Sequence, residues 1–376
     1  VGDLPLSRQQ IVEIAKALAR NPRVLILDEA TSALTAADVT KVRGVLKRLR
    51  SEGMALLYIS HRMHEIAELA DECTVFRNGH NVESYKQGTR TDNEVVEMMI
   101  GREYRHVFPD KTPPPPSGRP PALEVRNLSW AGKLNNVSLD VRAGEVVGLG
   151  GLDGQGQRDL LLALFGVLRG VTGEVRVDGA KVDIKGPRHA KSPQVGMALI
   201  PEDRKTEGLM LPMSVMQNLT FSTLGQLSTF GVIDRAREKQ RVDEMIKLLA
   251  VRTASTDIPV SALSGGNQQK VVIAKWLMLS PKIILLNDPT RGIDVGTKQE
   301  IYQLLRKLSS DGAAIILYST DYDELIGCCD RVMVMYDGAI KTTLAGEEIT
   351  EHALVGSALN IGVADREAGM QTAVGA

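Results

Sequence analysis

Two short runs of apolar residues stand out in an otherwise amphipathic chain, and each follows a segment with helical periodicity. The runs are residues 24–27 and 283–286. Before the first run, Ile11, Ile14 and Leu18 fall on one helical face. A continuous apolar run of this length predicts a fully buried strand of the kind found in parallel sheets.

The alternation of helix and strand continues beyond the first run. A second helix is predicted over about residues 36–49, and a second strand over residues 54–59, which ends at Ser60-His61. Helices and strands that alternate in this way favour an α/β fold built on a parallel sheet.

Residues 4–79 and 263–338 align as a repeat without gaps. The spacing is the same for each matched pair: 268 − 9 = 259, 287 − 28 = 259 and 330 − 71 = 259. Because this period is far longer than a solenoid unit, it indicates two copies of one domain.

The order of these features divides the chain into four parts. Residues 1–101 are assigned to the later part of a first domain, whose beginning is expected upstream of Val1. Residues 102–121 form a Pro-rich extended linker, residues 122–362 a complete second domain, and residues 363–376 a tail. The second domain is predicted to open with an edge strand at residues 123–125.

Composition narrows the class of protein. The 376 residues are 43% hydrophobic, which is enough for sizeable cores, and the net charge of −1 argues against nucleic acid as the main partner. The three cysteines lack the spacing of a disulfide framework or a zinc site. The sequence has no charge-free apolar run of 18 residues, so it predicts no membrane span.

The most specific motif is Leu263-Ser264-Gly265-Gly266-Asn267-Gln268-Gln269, at the start of a predicted helix. A serine hydroxyl and glycine N–H groups at a helix N-terminus form an anion site, and glycine lets the backbone approach a phosphate closely. The stretch resembles the signature motif of ATP-binding-cassette (ABC) ATPases. We therefore predict that ATP is bound by Ser264, Gly265, Gly266, Asn267 and Gln268.

A glycine-rich loop occurs earlier in the second copy, between a predicted strand at residues 146–149 and a predicted helix at residues 160–164. This is the context of a phosphate-binding loop. The residues predicted to bind ATP there are Gly151, Gly154, Gly156, Gln157 and Arg158. Gln157 replaces the usual Lys and Arg158 the usual Ser or Thr, so a charge-assisted contact of about 1.5–3 kcal/mol is lost. Arg158 is expected to replace part of that charge.

Acidic residues end the apolar run of the first copy. The ABC resemblance implies that Asp28 holds Mg²⁺ through water, that Glu29 orients or deprotonates the attacking water, and that His61 contacts the γ-phosphate. The matching positions of the second copy hold degenerate counterparts, which are Asn287, Asp288 and Thr320.

Further segments resemble the tandem-cassette ATPases of carbohydrate-uptake ABC transporters. These segments are Gly101-Arg102-Glu103, Pro201-Glu202-Asp203-Arg204-Lys205, LSGGNQQKVVIAKWL at residues 263–277 and PTRGIDVGTK at residues 289–298. The resemblance covers the chain from Leu4 to about Asn360, and residues 290–296 are typical of monosaccharide systems.

The resemblance implies the P-loop NTPase fold of an ABC cassette, in one partial and one complete copy. That fold has a parallel sheet core, an antiparallel edge sheet and a helical subdomain. The resemblance also places Glu202 in the loop that senses nucleotide.

In this family two cassettes face head to tail, and each ATP lies between the phosphate loop of one and the signature of the other. The competent site would then combine Asp28, Glu29 and His61 with Ser264, Gly265 and Gly266. The silent site would combine Pro5-Leu6 with Gln157, Arg158, Asn287, Asp288 and Thr320. The motif residues that are replaced in the two domains would thus all belong to one composite site.

The resemblance further implies ATP and Mg²⁺ as cofactors and ATP hydrolysis that powers monosaccharide import. Its implied partners are transmembrane permease subunits and, indirectly, an extracytoplasmic sugar-binding protein, and its implied location is peripheral, on the cytoplasmic face of the inner membrane. The uncharged residues 208–233 are interpreted either as the face that docks the permease or as the core of a helical subdomain. Because the phosphate loop of the competent site would lie upstream of Val1, we expect this chain alone to hydrolyse ATP poorly.

Two other functions stay open. One is a soluble tandem-cassette ATPase that acts on ribosomes or DNA, which would be expected to have a basic, helical linker and two intact sites. The other is a nucleotide-binding fragment without hydrolytic activity. A comparison of ATPase activity with and without membranes that carry the permease would separate the three.

Overall fold

The computed structural model describes residue 4 and residues 6–28, 30–31, 34, 36–60, 63–77, 79–100, 108–111, 118 and 120–360. Contacts within the chain divide it into two units. One contains Val1–Val107 with Arg291–Lys298, and the other contains Phe108–Thr290 with Gln299–Ala376.

The described part of the first hundred residues contains four helices and four strands. The helices are α1 (Leu6–Leu18), α2 (Ala36–Ser51), α3 (Met63–Leu69) and α4 (Asp92–Ile100). The strands are β1 (Val24–Asp28), β2 (Ala55–Ile59), β3 (Glu72–Arg77) and β4 (His80–Lys86). β1 pairs with β2 in parallel, and β3 pairs with β4 as an antiparallel hairpin.

The prediction that β1 is fully buried was wrong. Leu25 and Leu27 are buried against Leu46 of α2, but Val24 is 58% exposed and Ile26 is 62% exposed. In this unit the apolar cluster that includes Leu25 and Leu27 lies on one side of the strand. The strand is therefore half-buried, with alternate side chains facing in and out.

The chain from residue 108 onward contains the remaining twelve strands and nine helices of the described residues. The strands are β5 (Leu123–Trp130), β6 (Leu134–Val141), β7 (Val146–Gly150), β8 (Thr172–Val177), β9 (Ala180–Val182), β10 (Met197–Ile200), β11 (Ser228–Thr229), β12 (Val232–Ile233), β13 (Ile283–Asn287), β14 (Ala314–Tyr318), β15 (Arg331–Tyr336) and β16 (Ala339–Ala345). The α-helices are α5 (Gln157–Leu164), α6 (Pro187–Ala190), α7 (Val215–Thr220), α8 (Leu224–Leu227), α9 (Arg235–Leu248), α10 (Gly265–Leu277), α11 (Val295–Ser310), α12 (Tyr322–Cys328) and α13 (Glu351–Ala358).

A six-stranded sheet forms the centre of the second unit, in the order β10-β13-β14-β7-β15-β16. The first five strands are parallel and β16 is antiparallel to β15. Every residue of β7, β13 and β14 is buried, as the apolar run at residues 283–286 predicts. The carboxyl ends of these three strands therefore meet at one edge of the sheet, where ligands of α/β proteins bind.

A second, antiparallel sheet has the order β6-β5-β8-β9. β5 lies between β6 and β8, so the prediction that residues 123–125 form an edge strand was wrong. Leu123, Val125 and Leu128 of β5 are buried in the same apolar cluster as the central sheet. Because both edges of β5 are paired, the strand is part of the core of the unit.

Helices α7 to α10 complete the second unit, and α10 packs against α7 and α9. The parallel sheet, the antiparallel sheet and this helical region together form the predicted α/β architecture. Among the residues that the structure describes, every helix is too short or too polar to cross a lipid bilayer.

Candidate functional site

A glycine-rich loop leaves the carboxyl end of the central strand β7 and enters α5. Gly151, Gly154 and Gly156 have φ angles of 130°, 83° and 104°, in the region that other residues rarely adopt. A Cβ atom on Gly151 would lie 2.4 Å from the carbonyl oxygen of Met335 and 2.5 Å from Nε2 of Gln157. The shape of the loop therefore depends on glycine, as in a phosphate-binding loop.

The loop is also tied to the turn between β15 and β16. The side-chain oxygen of Gln155 accepts a hydrogen bond from the backbone N–H of Asp337 at 2.6 Å. The backbone carbonyl of Gln155 accepts a second one from the N–H of Gly338 at 3.2 Å. Asn135 holds the other side of the same turn, because its side chain donates to the carbonyl of Asp337 at 2.9 Å. These bonds give the loop a fixed conformation.

Gln157 fills the inside of this loop. Its side chain is 1% exposed, and Nε2 donates to the carbonyl oxygens of Gly150 at 3.3 Å and Leu152 at 3.0 Å. A lysine in this position would bring a positive charge to a bound phosphate, but the amide of Gln157 is neutral and points at the loop carbonyls.

Arg158 does not supply the missing charge in this conformation. Its guanidinium donates to Glu207 at 2.7 Å, and both side chains are largely exposed to solvent. The cation is thus already paired with a carboxylate outside the loop.

Carboxylates cluster around the carboxyl end of β14, next to the glycine-rich loop. The hydroxyl of Tyr318, at the end of β14, donates to Asp153 of the loop at 3.2 Å. Burial raises the pKa of Tyr318 above its ordinary value, and the negative charges of Asp153 and Asp288 raise it further. Glu202 adds to the same effect. This edge of the second unit therefore carries negative charge.

The three degenerate positions predicted from the repeat lie together at this edge. The hydroxyl of Thr320 donates to Oδ2 of Asp288 at 2.8 Å, and Asp288, with φ of 47°, donates its N–H to the carbonyl of Tyr318 at 2.8 Å. Asn287 is 3% exposed, and its Oδ1 has no hydrogen-bond partner among the residues the structure describes.

The signature stretch forms the N-terminus of α10, as predicted. Ser264 is the residue before the first turn; it is exposed, and its hydroxyl accepts from the side chain of Asn267 at 2.9 Å instead of capping the helix. Asn267 in turn accepts the backbone N–H of Arg252 at 2.8 Å. The N–H groups of the first turn have no side-chain cap from the described residues, so they and the positive end of the helix dipole can receive an anion.

Two neighbours shape this helix end. Gly265 lies under the guanidinium of Arg204, and a Cβ there would come within 2.9 Å of Nη2. Gln268 is 7% exposed, and its Nε2 donates to the carbonyl of Leu263 at 3.0 Å, so in this conformation it holds the loop before the helix. Gly266 is buried.

The loop that contains Glu202 lies next to α10. Asp203 caps the turn at Arg204–Gly208 by accepting the backbone N–H of Lys205 at 2.8 Å. Lys275 of α10 donates to the carbonyl of Gly208 at the end of that turn. The predicted sensing loop and the signature helix are thus joined by a direct hydrogen bond.

In the first unit the structure describes only part of the predicted catalytic set. Asp28 ends β1 with an exposed side chain. Glu29 and His61 lie outside the described residues. Sequence reasoning missed the buried Glu65 on α3, which accepts hydrogen bonds from Thr31 and Ser60. The repeat was the signal that could have found it, because Glu324 is 259 residues further on (324 − 65 = 259).

The parallel sheet, the glycine loop at its central strand and the signature helix define an ATP-binding cassette of the ABC class. Residues 134–291 match the ABC transporter family. Among solved structures, a nucleotide-free cassette of an ABC transporter superposes with a TM-score of 0.55 at 21% identity, over 62% of this chain and 95% of that one. A cassette in its ADP conformation gives a TM-score of 0.55 at 22% identity, over 65% and 98%.

Curated relatives place the chain more narrowly. It is 72% identical to ribose import ATP-binding protein RbsA 1 of Mesorhizobium japonicum, over 96% of this chain and 70% of that protein. It is 68% identical to the RbsA 1 protein of Rhizobium etli, with the same coverages, and 42% identical to RbsA of Bacillus subtilis, over 94% and 71%. The chain therefore belongs to the family of ribose import ATP-binding proteins. The predicted class, an ABC-type ATP hydrolase of the carbohydrate-uptake group, is confirmed.

Proposed function

We propose that this chain powers the import of ribose, or of a closely related monosaccharide, by hydrolysing ATP at one composite site. The relatives named above are ribose import proteins, and this supports the substrate. The proposal of one composite site rests on a difference between the signature helix and the phosphate loop of the second unit. Its signature helix presents free N–H groups and an exposed Ser264, whereas its own phosphate loop is filled by the neutral side chain of Gln157.

In this proposal the competent site combines the two copies. Asp28, Glu29 and His61 of the first copy act on the ATP whose phosphates contact Ser264, Gly265 and Gly266 of the second. Asn267 holds the hydroxyl of Ser264, as its 2.9 Å hydrogen bond indicates, and so keeps the helix end free for phosphate. Glu29 orients or deprotonates the water, and His61 contacts the γ-phosphate.

The other composite site is proposed to be silent in hydrolysis. Gln157 brings no charge to the loop, and Arg158 is paired with Glu207. Asp153, which accepts a hydrogen bond from the hydroxyl of Tyr318, adds a negative charge to the same loop. Nucleotide binding there would depend on the backbone N–H groups of the glycine loop and would be weak.

The residues of the first copy fit a magnesium ion better than those of the second. Mg²⁺ prefers carboxylate oxygens and water, and Asp28 offers an exposed carboxylate at the carboxyl end of β1. Asn287 offers only a neutral amide oxygen, which is buried and unpartnered among the described residues. When bound, the ion would neutralise charge on the β- and γ-phosphates.

The permease partner is proposed to dock on the helical region of the second unit. Phe221, at the end of α7, is 55% exposed, and Val232 of β12 is 72% exposed. Phe230 is fully exposed at the tip of the β11–β12 hairpin, with φ of 49°, an unusual conformation for an aromatic residue. We assign the docking face to the uncharged residues 208–233, which carry these exposed apolar side chains, and place it on the cytoplasmic side of the inner membrane.

The test compares matched substitutions in the two copies, made in the intact gene product that contains this chain and reconstituted with its permease. Glu29→Gln should lower the ATPase rate and ribose uptake by at least 10²-fold, since general-base help contributes about 10²–10⁴. Asp288→Asn, at the matching position of the second copy, should leave both within about twofold. Full activity of Glu29→Gln, or equal losses in both variants, would overturn the composite site.

A further inference from the structure

A buried glutamate on α3 ties together the ends of the two parallel strands in the first unit. Glu65 is 0% exposed. Its Oε2 accepts hydrogen bonds from Thr31 at 2.7 Å, from Tyr58 at 2.5 Å and from Ser60 at 3.4 Å. Thr31 follows β1, Tyr58 lies in β2 and Ser60 follows β2. One carboxylate therefore connects both strand ends to one helix.

The second unit contains the same arrangement. Glu324 on α12 is 1% exposed and accepts from Thr290 at 2.6 Å, from Tyr302 at 2.7 Å and from Ser319 at 2.8 Å. Thr290 follows β13 and Ser319 follows β14, so this carboxylate also joins the ends of two neighbouring parallel strands.

The comparison between the copies shows which part of the arrangement is common. The glutamate, the threonine and the serine each recur at the repeat spacing, as 324 − 65 = 259, 290 − 31 = 259 and 319 − 60 = 259. The tyrosine does not, since Tyr58 comes from a strand and Tyr302 from α11. Each carboxylate nevertheless receives at least three hydroxyl donors, which a buried charge needs to offset the loss of water.

We propose that Glu65 is a positioning residue for ATP hydrolysis, an inference that rests on the function proposed above. Thr31 is two residues after Glu29, and Ser60 immediately precedes His61. By bonding both, Glu65 sets the distance between the segment that carries the water-activating carboxylate and the segment that carries the γ-phosphate ligand. Glu324 holds the matching segments of the second copy, where the catalytic groups are replaced.

A glutamine in this position keeps the size of the side chain but changes its hydrogen bonding. One carboxylate oxygen becomes an NH₂ donor that faces hydroxyl groups, and the negative charge that attracted three donors is lost. The two segments would then shift relative to each other. A displacement of about 1 Å between catalytic groups can lower a rate by about 10²-fold.

The two copies supply a matched control for the experiment. Glu65→Gln and Glu324→Gln are made in the intact gene product, and kcat, KM for ATP and Tm are measured for each. Glu65→Gln should lower kcat at least tenfold with KM within about twofold, whereas Glu324→Gln should keep kcat within about twofold. Both should lower Tm by a similar amount, because both carboxylates are equally buried.

A purely structural role predicts a different result. In that case the two variants would lose stability alike and kcat would fall in neither, or in both to the same extent, and the inference would be overturned. If Glu65→Gln does not fold, Thr31→Val and Thr290→Val form a second matched pair, each losing one hydroxyl. Thr31→Val should then lower kcat and Thr290→Val should not.

A parallel measurement on Glu29→Gln separates the two levels of the proposal. If Glu29→Gln stays active, the proposed function fails. If it is inactive while Glu65→Gln and Glu324→Gln have the same kcat, only the positioning role of Glu65 fails.

Discussion

At position 157 an amide occupies the place that an ammonium has in a phosphate-binding loop. Gln157 satisfies the carbonyls of Gly150 and Leu152, so the loop keeps its shape without a bound anion. The same side chain removes the charge that would hold the β- and γ-phosphates. The amide hydrogen bonds of Gln157 thus maintain the shape of the loop, while the absence of a positive charge on the same side chain lowers its affinity for nucleotide.

This separation gives a prediction for Gln157→Lys. The ammonium restores a charge-assisted contact of about 1.5–3 kcal/mol, so affinity for ATP at the second loop should rise about tenfold or more. Photolabelling with 8-azido-ATP over a range of concentrations, followed by peptide mapping to residues 122–200, measures labelling at this loop and leaves out the signature stretch at residues 263–269. Gln157→Met, which fills the same space without charge, should show no gain, and equal labelling of the two variants would contradict the argument.

At the scale of the element, β1 and β13 show what a sequence pattern can and cannot predict. Both runs are apolar and both form parallel strands next to a helix. Every residue of β13 is buried, whereas Val24 and Ile26 of β1 are exposed. The pattern predicts the type of element and its neighbours in the repeat, but burial depends on how many layers pack on each face, which the run itself does not encode.

The candidate site shows the same limit. The glycine loop and the signature could be predicted because backbone geometry requires glycine at fixed positions, and the structure has positive φ at Gly151, Gly154 and Gly156. The link from Lys275 to Gly208 could not, because it joins residues 67 apart in sequence. Side-chain contacts between distant segments follow from the packing of α10, not from a local motif.

Lys275 gives a prediction about pH and the stability of α10. Burial lowers its pKa from the ordinary 10.5 to about 8, with a further decrease from nearby Lys191. The unfolded chain therefore binds more protons than the folded one between pH 8 and 10.5, and the free energy of unfolding should rise with pH there, by at most about 1.4 kcal/mol per pH unit. Below pH 8 Lys275 is charged in both the folded and the unfolded chain, so it does not make the free energy of unfolding depend on pH.

Urea denaturation of the wild type and of Lys275→Met, at several values between pH 7 and 10, isolates this effect. The difference in unfolding free energy between the two proteins should be constant up to about pH 8 and then increase in favour of the wild type. Parallel curves over the whole range would show that Lys275 keeps its ordinary pKa.

At the scale of the whole molecule, the replacements of residues that we propose to act in hydrolysis are concentrated in the second copy. Asn287, Asp288 and Thr320 lie together at one sheet edge, with Gln157 in the adjacent loop. The buried network around Glu324 is nevertheless complete. The second copy thus keeps the packing of a cassette, while other residues stand at the positions that we propose to be catalytic in the first copy.

The proposed permease surface can be tested at the tip of the β11–β12 hairpin. Phe230→Asp places a charge on a side chain that is fully exposed, so it should not affect folding. If the hairpin tip packs into the permease, the buried charge would cost several kcal/mol and ribose uptake should fall at least tenfold, while basal ATPase activity stays within about twofold. Val167→Asp is the control, because Val167 is an exposed apolar residue of the same unit outside residues 208–233. Uptake measured in vesicles that contain the permease should then separate the two variants, and equal uptake by both would place the docking surface elsewhere.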